Sequence, residues 1–245
     1  MLEEIYIYFI LFLLVILQSI AGVGVLVVGT PTFLIFNYGI VEILSMLLPI
    51  SILTSFINLL IFLFYKKNNH LTIDKEYKIL FYSLCFPSII IGLIILKNFK
   101  NYFNFGYLVS FIIFFSILAT NYKKFFFIIN KKIKIIFLIF TGIIHGLTNA
   151  GGTLLSLFLS SYLNKDQSRY NITYFYFFLA TFQYIIFYIV FEKKLYNFDI
   201  FLLIPILLLG VSIGNFVANY FKNTSFRVLI NLLSLIVCFV LLINN

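Results

Sequence analysis

The sequence predicts an all-α integral membrane protein, on three observations: its composition, the length of its apolar runs and an internal duplication. Of 245 residues, 63% are hydrophobic and only 10% charged, far from the balance of a soluble domain. Runs long enough to cross a hydrocarbon core of about 30 Å recur. They give about eight transmembrane segments, at 5–36, 40–65, 79–96, 105–120, 133–163, 172–191, 198–220 and 226–243. The first run is expected to stay in the mature chain, because Glu3 and Glu4 stand where a signal peptide carries positive charge and the apolar stretch is too long.

The duplication orders these segments. "ILTSFINLLIF" at 52–62 resembles "FLATFQYIIFY" at 178–188, an offset of 126 residues. Pro87 and Gly92 repeat as Pro205 and Gly210 at an offset of 118, and the run from Phe105 repeats from Phe226 at 121. Two four-segment repeats follow, over 1–121 and 135–245, joined by a basic connector at 122–134. The first segment of each is too long for one straight crossing. At about 1.5 Å per residue, 5–36 would make a helix of about 48 Å, so it must bend, break or dip back. The break falls in "AGVGVLVVGTP" (Ala21 to Pro31) and, in the second half, in "HGLTNAGG" from His145. An offset of 127 sets Gly24 on Gly151, Gly22 on Asn149 and Gln18 on His145.

Charge speaks for topology rather than nucleic acid. The 17 Lys and Arg outnumber 8 Asp and Glu, but they sit in loops between apolar runs. Simple alternation of eight segments puts eleven of these cations on one side and six on the other. The positive-inside rule then predicts a multi-pass protein of the cell (inner) membrane with both termini cytoplasmic. Glu42 and Arg169 flank helix starts on one predicted face, and Glu42 suits a helix N-terminus. Cys85 and Cys238 are isolated core residues, and His70 and His145 are the only histidines. With no HExxH, Walker loop, GxSxG or paired membrane carboxylates, the chain reads as no enzyme, without cofactor or metal.

The polar residues of the two breaks are the candidate site. Lipid offers such groups no hydrogen-bond partner, so they face protein, water or a ligand. Broken helices in paired repeats present free N–H groups that bind anions. Thr148 and Asn149 can donate to oxyanion oxygens, and Gly151 and Gly152 allow close backbone approach. Gly22 and Gly24 have the same role in the first half, and Gln18 mirrors His145. His145 is either a proton-coupling group or a buried imidazole hydrogen-bonded across helices. Thr54, Ser55, Asn58, Thr181 and Gln183 are assigned by default to helix packing, as are Gly92, Gly210 and Gly214. No buried Arg or Lys is expected, which keeps binding weak enough for release.

These motifs resemble the TauE/SafE family of sulfite and sulfonate exporters, whose two four-helix repeats each open with a glycine-rich run. The first copy here reads Ser19, Gly22, Gly24, Val25, Leu26 and then Pro31; the second reads Gly146, Asn149, Gly151, Gly152, Thr153. "GVSIGNFVANYF" before the last segment is also similar to the family. The resemblance implies export or import of a small sulfur-containing or organic anion without ATP. Together these readings predict a secondary transporter, an exporter or permease, that moves sulfite, a sulfonate or a related anion by alternating access. Asn149, Gly151, Gly152, Thr148, Thr153, His145, Gly22, Gly24 and Gln18 are its expected substrate contacts. Its partners are a small anionic solute and the lipid bilayer, with no nucleic acid; a homodimer is compatible with it. The alternatives are a membrane scaffold or accessory subunit, whose glycine breaks serve only packing, and a passive anion channel.

Overall fold

The computed structural model describes residues 2–65, 71–73, 75–99, 107, 110, 111, 113, 114, 117, 118, 131–192, 196 and 198–243. Among the described residues the structure is helical, with short links and no strand. The helices are α1 (Leu2–Ala21), α2 (Val25–Ile35), α3 (Ile40–Tyr65), α4 (Lys75–Phe99), α5 (Lys131–Thr148), α6 (Gly151–Tyr162), α7 (Lys165–Phe191), α8 (Ile200–Tyr220) and α9 (Asn223–Ile243). Five of them, α3, α4, α7, α8 and α9, are long and apolar enough to cross a membrane. The described residues of the fourth predicted run are helical and touch α9. Ser110 Oγ donates to Cys238 O at 3.1 Å, and Cys238 Sγ donates to Ser110 O at 3.2 Å. Most of that run, and connector residues 122–130, lie outside the described residues; Lys131 to Lys134 already belong to α5.

Both overlong first segments are broken. α1 ends at Gly22, whose φ of 81° puts it in the left-handed region, with its N–H on Gln18 O at 2.7 Å. α5 ends at Asn149, with φ of 64° and its N–H on His145 O at 3.0 Å. Glycine adopts this conformation freely, and asparagine is among the few other residues that visit it routinely. The residues paired by the 127-residue offset thus end their helices in the same way. Pro31 is not part of the break and lies inside α2. The left-handed residue already reverses the chain, so the turn needs no proline.

After each break the chain folds back on itself. A Cβ on Gly24 would lie 2.6 Å from Gln18 N, and one on Gly29 would lie 2.9 Å from Leu14 Cδ1, so α2 returns along α1. α6 returns along α5, with Gly151 against His145 and the Phe158 ring 5.1 Å from that of Phe137. Each pair is a hairpin that enters and leaves the bundle by one face.

Contacts fix the direction of the remaining helices. Phe56 meets Phe177 and Phe62 meets Tyr170, at ring separations of 6.2 and 5.8 Å, so α3 and α7 are antiparallel. Glu42 and Arg169, near the starts of these helices, therefore stand at opposite faces rather than on one. α4 runs parallel to α7: Tyr77 meets Phe175, Phe86 stacks on Phe182 at 4.2 Å, and Lys97 Nζ donates to Val190 O at 2.8 Å.

Glycines set the closest helix contacts. On α5, a Cβ at Gly142 would lie 2.6 Å from Cys85 O and one at Gly146 would lie 2.5 Å from Ile89 O, both on α4. On α8, a Cβ at Gly210 would lie 2.7 Å from Val15 Cγ1 and one at Gly214 would lie 2.7 Å from Ile16 O, both on α1. Gly92 meets Ile143 O as Gly214 meets Ile16 O. Contact therefore matches Gly92 to Gly214, 122 residues on, rather than to Gly210. The Pro–Gly spacing placed this segment one helical turn out of register, because the residue that packs, and not the distance from the proline kink, carries the constraint.

Candidate binding site at the hairpin tips

The two hairpin tips meet in the core. Val23 Cγ2 would lie 2.9 Å from a Cβ on Gly152, and Asn149 Nδ2 donates to Thr30 Oγ1 on α2 at 2.8 Å. The candidate residues of both halves thus gather in one region, but they divide into two kinds.

One kind is already committed to the protein. Gln18 Nε2 donates to Ser51 O and Ser55 Oγ, each at 2.9 Å, while Gln18 Oε1 accepts from Val25 N at 3.0 Å. It ties the first hairpin to α3 and satisfies one of the amides that a helix start leaves open. Asn149 bridges three elements, since Gln183 Nε2 on α7 donates to Asn149 Oδ1 at 2.9 Å and to His145 O at 3.0 Å. Thr148 Oγ1 donates to Ile144 O at 3.1 Å and accepts from Ala150 N at 3.4 Å. Gly24 lies against Gln18, and Gly22 against Arg169 O and Thr173 Oγ1. Gly151 lies against Thr141 O and His145.

The other kind is buried and has unused polar atoms. His145, Tyr176 and Gln183 are 0% exposed and Thr153 is 1% exposed. Both His145 ring nitrogens, Tyr176 Oη, Gln183 Oε1 and Thr153 Oγ1 have no hydrogen-bond partner. The His145 and Tyr176 rings meet edge to face at 5.9 Å. Tyr176 packs its ring on Gly152, while its hydroxyl faces the Leu26 and Val27 amides and the Ser51 hydroxyl without closing a hydrogen bond. It stands between the starts of α2 and α6, helices of 11 and 12 residues. Each start carries about half a positive charge. An unsatisfied buried polar group costs about 1–3 kcal/mol. Four such side chains around two helix starts make a cluster suited to an anionic ligand.

A buried cation is present after all. Arg169 is 3% exposed, and its Nε donates to Ile20 O at 2.9 Å. Its Nη2 donates to Ser19 O at 2.6 Å and to Asn215 Oδ1 at 2.9 Å, and the guanidinium lies 5.3 Å from the Phe62 ring centroid. Asn215 Nδ2 donates to Asn58 Oδ1 at 2.7 Å, and Asn58 Nδ2 to Ser19 Oγ at 3.0 Å. The expectation of no buried Arg or Lys fails because the end of α1 presents carbonyls at the negative end of the helix dipole, and these replace water around the cation.

Sequence reasoning did not single out Tyr176, gave Arg169 no part in the site, and gave Gln183 cavity lining only as the lesser reading beside helix packing. Tyr176 is one of 17 tyrosines in a chain that uses aromatics everywhere, so it carried no signal. Arg169 did carry one: it is one of two arginines in a lysine-rich chain, and it lies beside an apolar run.

Hairpins that dip into a multi-pass bundle and end on polar groups define a class of membrane protein, the transporters with discontinuous helices. The chain matches the model of the sulfite exporter TauE/SafE family over residues 7–241 and belongs to that family, whose members export anions. No curated protein and no solved structure matches it.

Proposed function

We propose that this protein carries a small oxyanion, sulfite or a sulfonate, across the membrane by alternating access, with the two hairpins as the opposed elements of two inverted repeats. The observation that carries this reading is the cluster of unpartnered, fully buried polar atoms on His145, Thr153, Tyr176 and Gln183 beside two helix starts. A scaffold explains the tightly filled glycine contacts equally well, but it leaves that cluster without a purpose. Asn149, Gln18 and Thr148 hold the hairpins in place, while the Gly151–Thr153 turn, His145 and Tyr176 meet the anion. Uptake of labelled sulfite and sulfonates into proteoliposomes tests this. Saturable flux is expected, and Tyr176→Phe, which keeps the ring and removes only the hydroxyl, is expected to lower it about tenfold. Equal flux in empty vesicles would defeat the transport reading, and full flux in the variant would remove Tyr176 from the site.

Orientation follows from the hairpins. Each enters and leaves by the same face, so neither counts as a crossing, and the loops regroup. Lys75, Lys78, Lys131, Lys132, Lys134, Lys165, Arg169, Lys222 and Arg227 then share one face, and of the described cations only Lys97 lies towards the other. The same face holds the start of α7 against α8 and α9, where Lys165 Nζ donates to Phe221 O at 2.8 Å and Lys165 N to Asn223 Oδ1 at 2.9 Å. By the positive-inside rule this face is cytoplasmic, and both termini are outside, the reverse of the orientation that eight simple crossings give. Alkaline phosphatase fused after residue 245 is expected to be active and a fluorescent protein at the same place dark. A bright fluorescent fusion would restore the cytoplasmic assignment.

A further inference from the structure

We infer that the ligand is a singly charged oxyanion that brings a hydrogen-bond donor of its own, such as a hydroxyalkanesulfonate or a monoprotonated oxyacid. The inference rests on the anion site proposed above and specifies what that site selects. It comes from the inventory of unused atoms. Tyr176 Oη and Thr153 Oγ1 can each donate or accept, and neutral His145 offers one donor and one acceptor. Gln183 Oε1 can only accept.

The assignment of that oxygen is firm, because the other end of the carboxamide lies between two acceptors. Gln183 Nε2 faces His145 O at 3.0 Å and Asn149 Oδ1 at 2.9 Å, and a flipped amide would set oxygen against oxygen at both. His145 O is a backbone carbonyl that can only accept, so Gln183 Nε2 lies against it, and the Asn149 atom that meets the same Nε2 is its acceptor Oδ1. An anion with only acceptor oxygens would therefore face Gln183 Oε1, buried in the core, without a hydrogen between them. An anion carrying an O–H group closes that contact.

The charge limit comes from the same region. The described cation buried nearest the tips, Arg169, is occupied by Ser19 O, Ile20 O and Asn215 Oδ1. The ligand's charge is met by neutral donors and two helix starts, each worth about half a charge. Those direct contacts balance one negative charge, and a dianion would have to draw its second from Arg169, which Ser19 O and Ile20 O already hold.

Titration calorimetry on the full chain in detergent tests this with two stable monoanions of similar size, 2-hydroxyethanesulfonate and propane-1-sulfonate. The hydroxylated ligand is expected to bind at least about tenfold more tightly, the usual penalty for leaving a buried polar group unpaired. Gln183→Met is expected to reduce that preference to within about twofold, whereas Tyr176→Phe is expected to weaken both ligands alike and keep the preference. Equal binding of the two sulfonates to the unaltered protein overturns the inference and leaves the anion site standing. Preference that survives Gln183→Met moves the acceptor elsewhere and overturns it as well. If neither sulfonate nor sulfite binds, the anion site fails and the inference fails with it.

Discussion

Arg169→Met is expected to abolish most of the folded protein. The side chain makes three charge-assisted hydrogen bonds, to Ser19 O and Ile20 O in the buried core and to the half-buried Asn215 Oδ1. Hydrogen bonds to charged groups are worth about 1.5–3 kcal/mol each. Methionine fills similar space but leaves two carbonyls at the end of α1 without a donor. The loss reaches several kcal/mol, a large fraction of a typical stability of about 5–15 kcal/mol. It would spread through Asn215 and Asn58 to Ser19, since these side chains form one chain of bonds between α8, α3 and α1. Arg169→Lys is expected to recover part of the stability, because one ammonium can reach a carbonyl but cannot span the fork. Thermal unfolding in detergent, followed by size-exclusion profile, reads both. An unchanged melting temperature in Arg169→Met would show that water or another donor already serves the end of α1.

How much of this could be read from the sequence depends on what each residue signals. Membrane class and the two breaks were legible, because apolar length and glycine clusters report directly on backbone demands. The match of Gly22 to Asn149 was legible too, since glycine and asparagine are the residues that end a helix left-handed. Hairpin geometry was not. A segment of this length is equally compatible with a kinked crossing and with a fold-back, and only contacts such as Gly29 on Leu14 decide between them. The same ambiguity governs how the charge count groups the loops, since a crossing and a fold-back assign them to different faces. Within the site, the sequence showed which polar residues were present but not which were already satisfied. Gln18 and His145 occupy matched positions, yet Gln18 spends its side chain on Val25 N and α3, while the His145 ring keeps both nitrogens unused. That difference depends on which side chains α3 and α7 bring alongside, and a single sequence does not carry it.

Gly146→Ala is expected to be among the most damaging methyl additions at the described glycines. The new Cβ would lie 2.5 Å from Ile89 O and 3.0 Å from Gly92 Cα, both backbone atoms of α4 with no rotamer to yield. Overpacking of this kind costs about 1–3 kcal/mol when neighbours can adjust and more when they cannot. Relief requires α4 and α5 to separate, and α5 carries His145 on the adjacent position. The hairpin tip would move away from Tyr176 and Gln183, so transport is expected to fall further than stability. The junction of α1 with α8 shows how a side chain is otherwise accommodated: Ser19 occupies the position of Gly146 there and needs Gly214 opposite it. In the α4–α5 contact both partners are glycine, so the backbones approach more closely and even serine at 146 is expected to be excluded. Gly39→Ala serves as the control, because nothing lies within 4 Å of a Cβ there. The measurement is melting temperature together with proteoliposome uptake for the three proteins. Wild-type values for Gly146→Ala would mean that the two helices can part without cost, and that backbone contact is not what holds the second hairpin against the site.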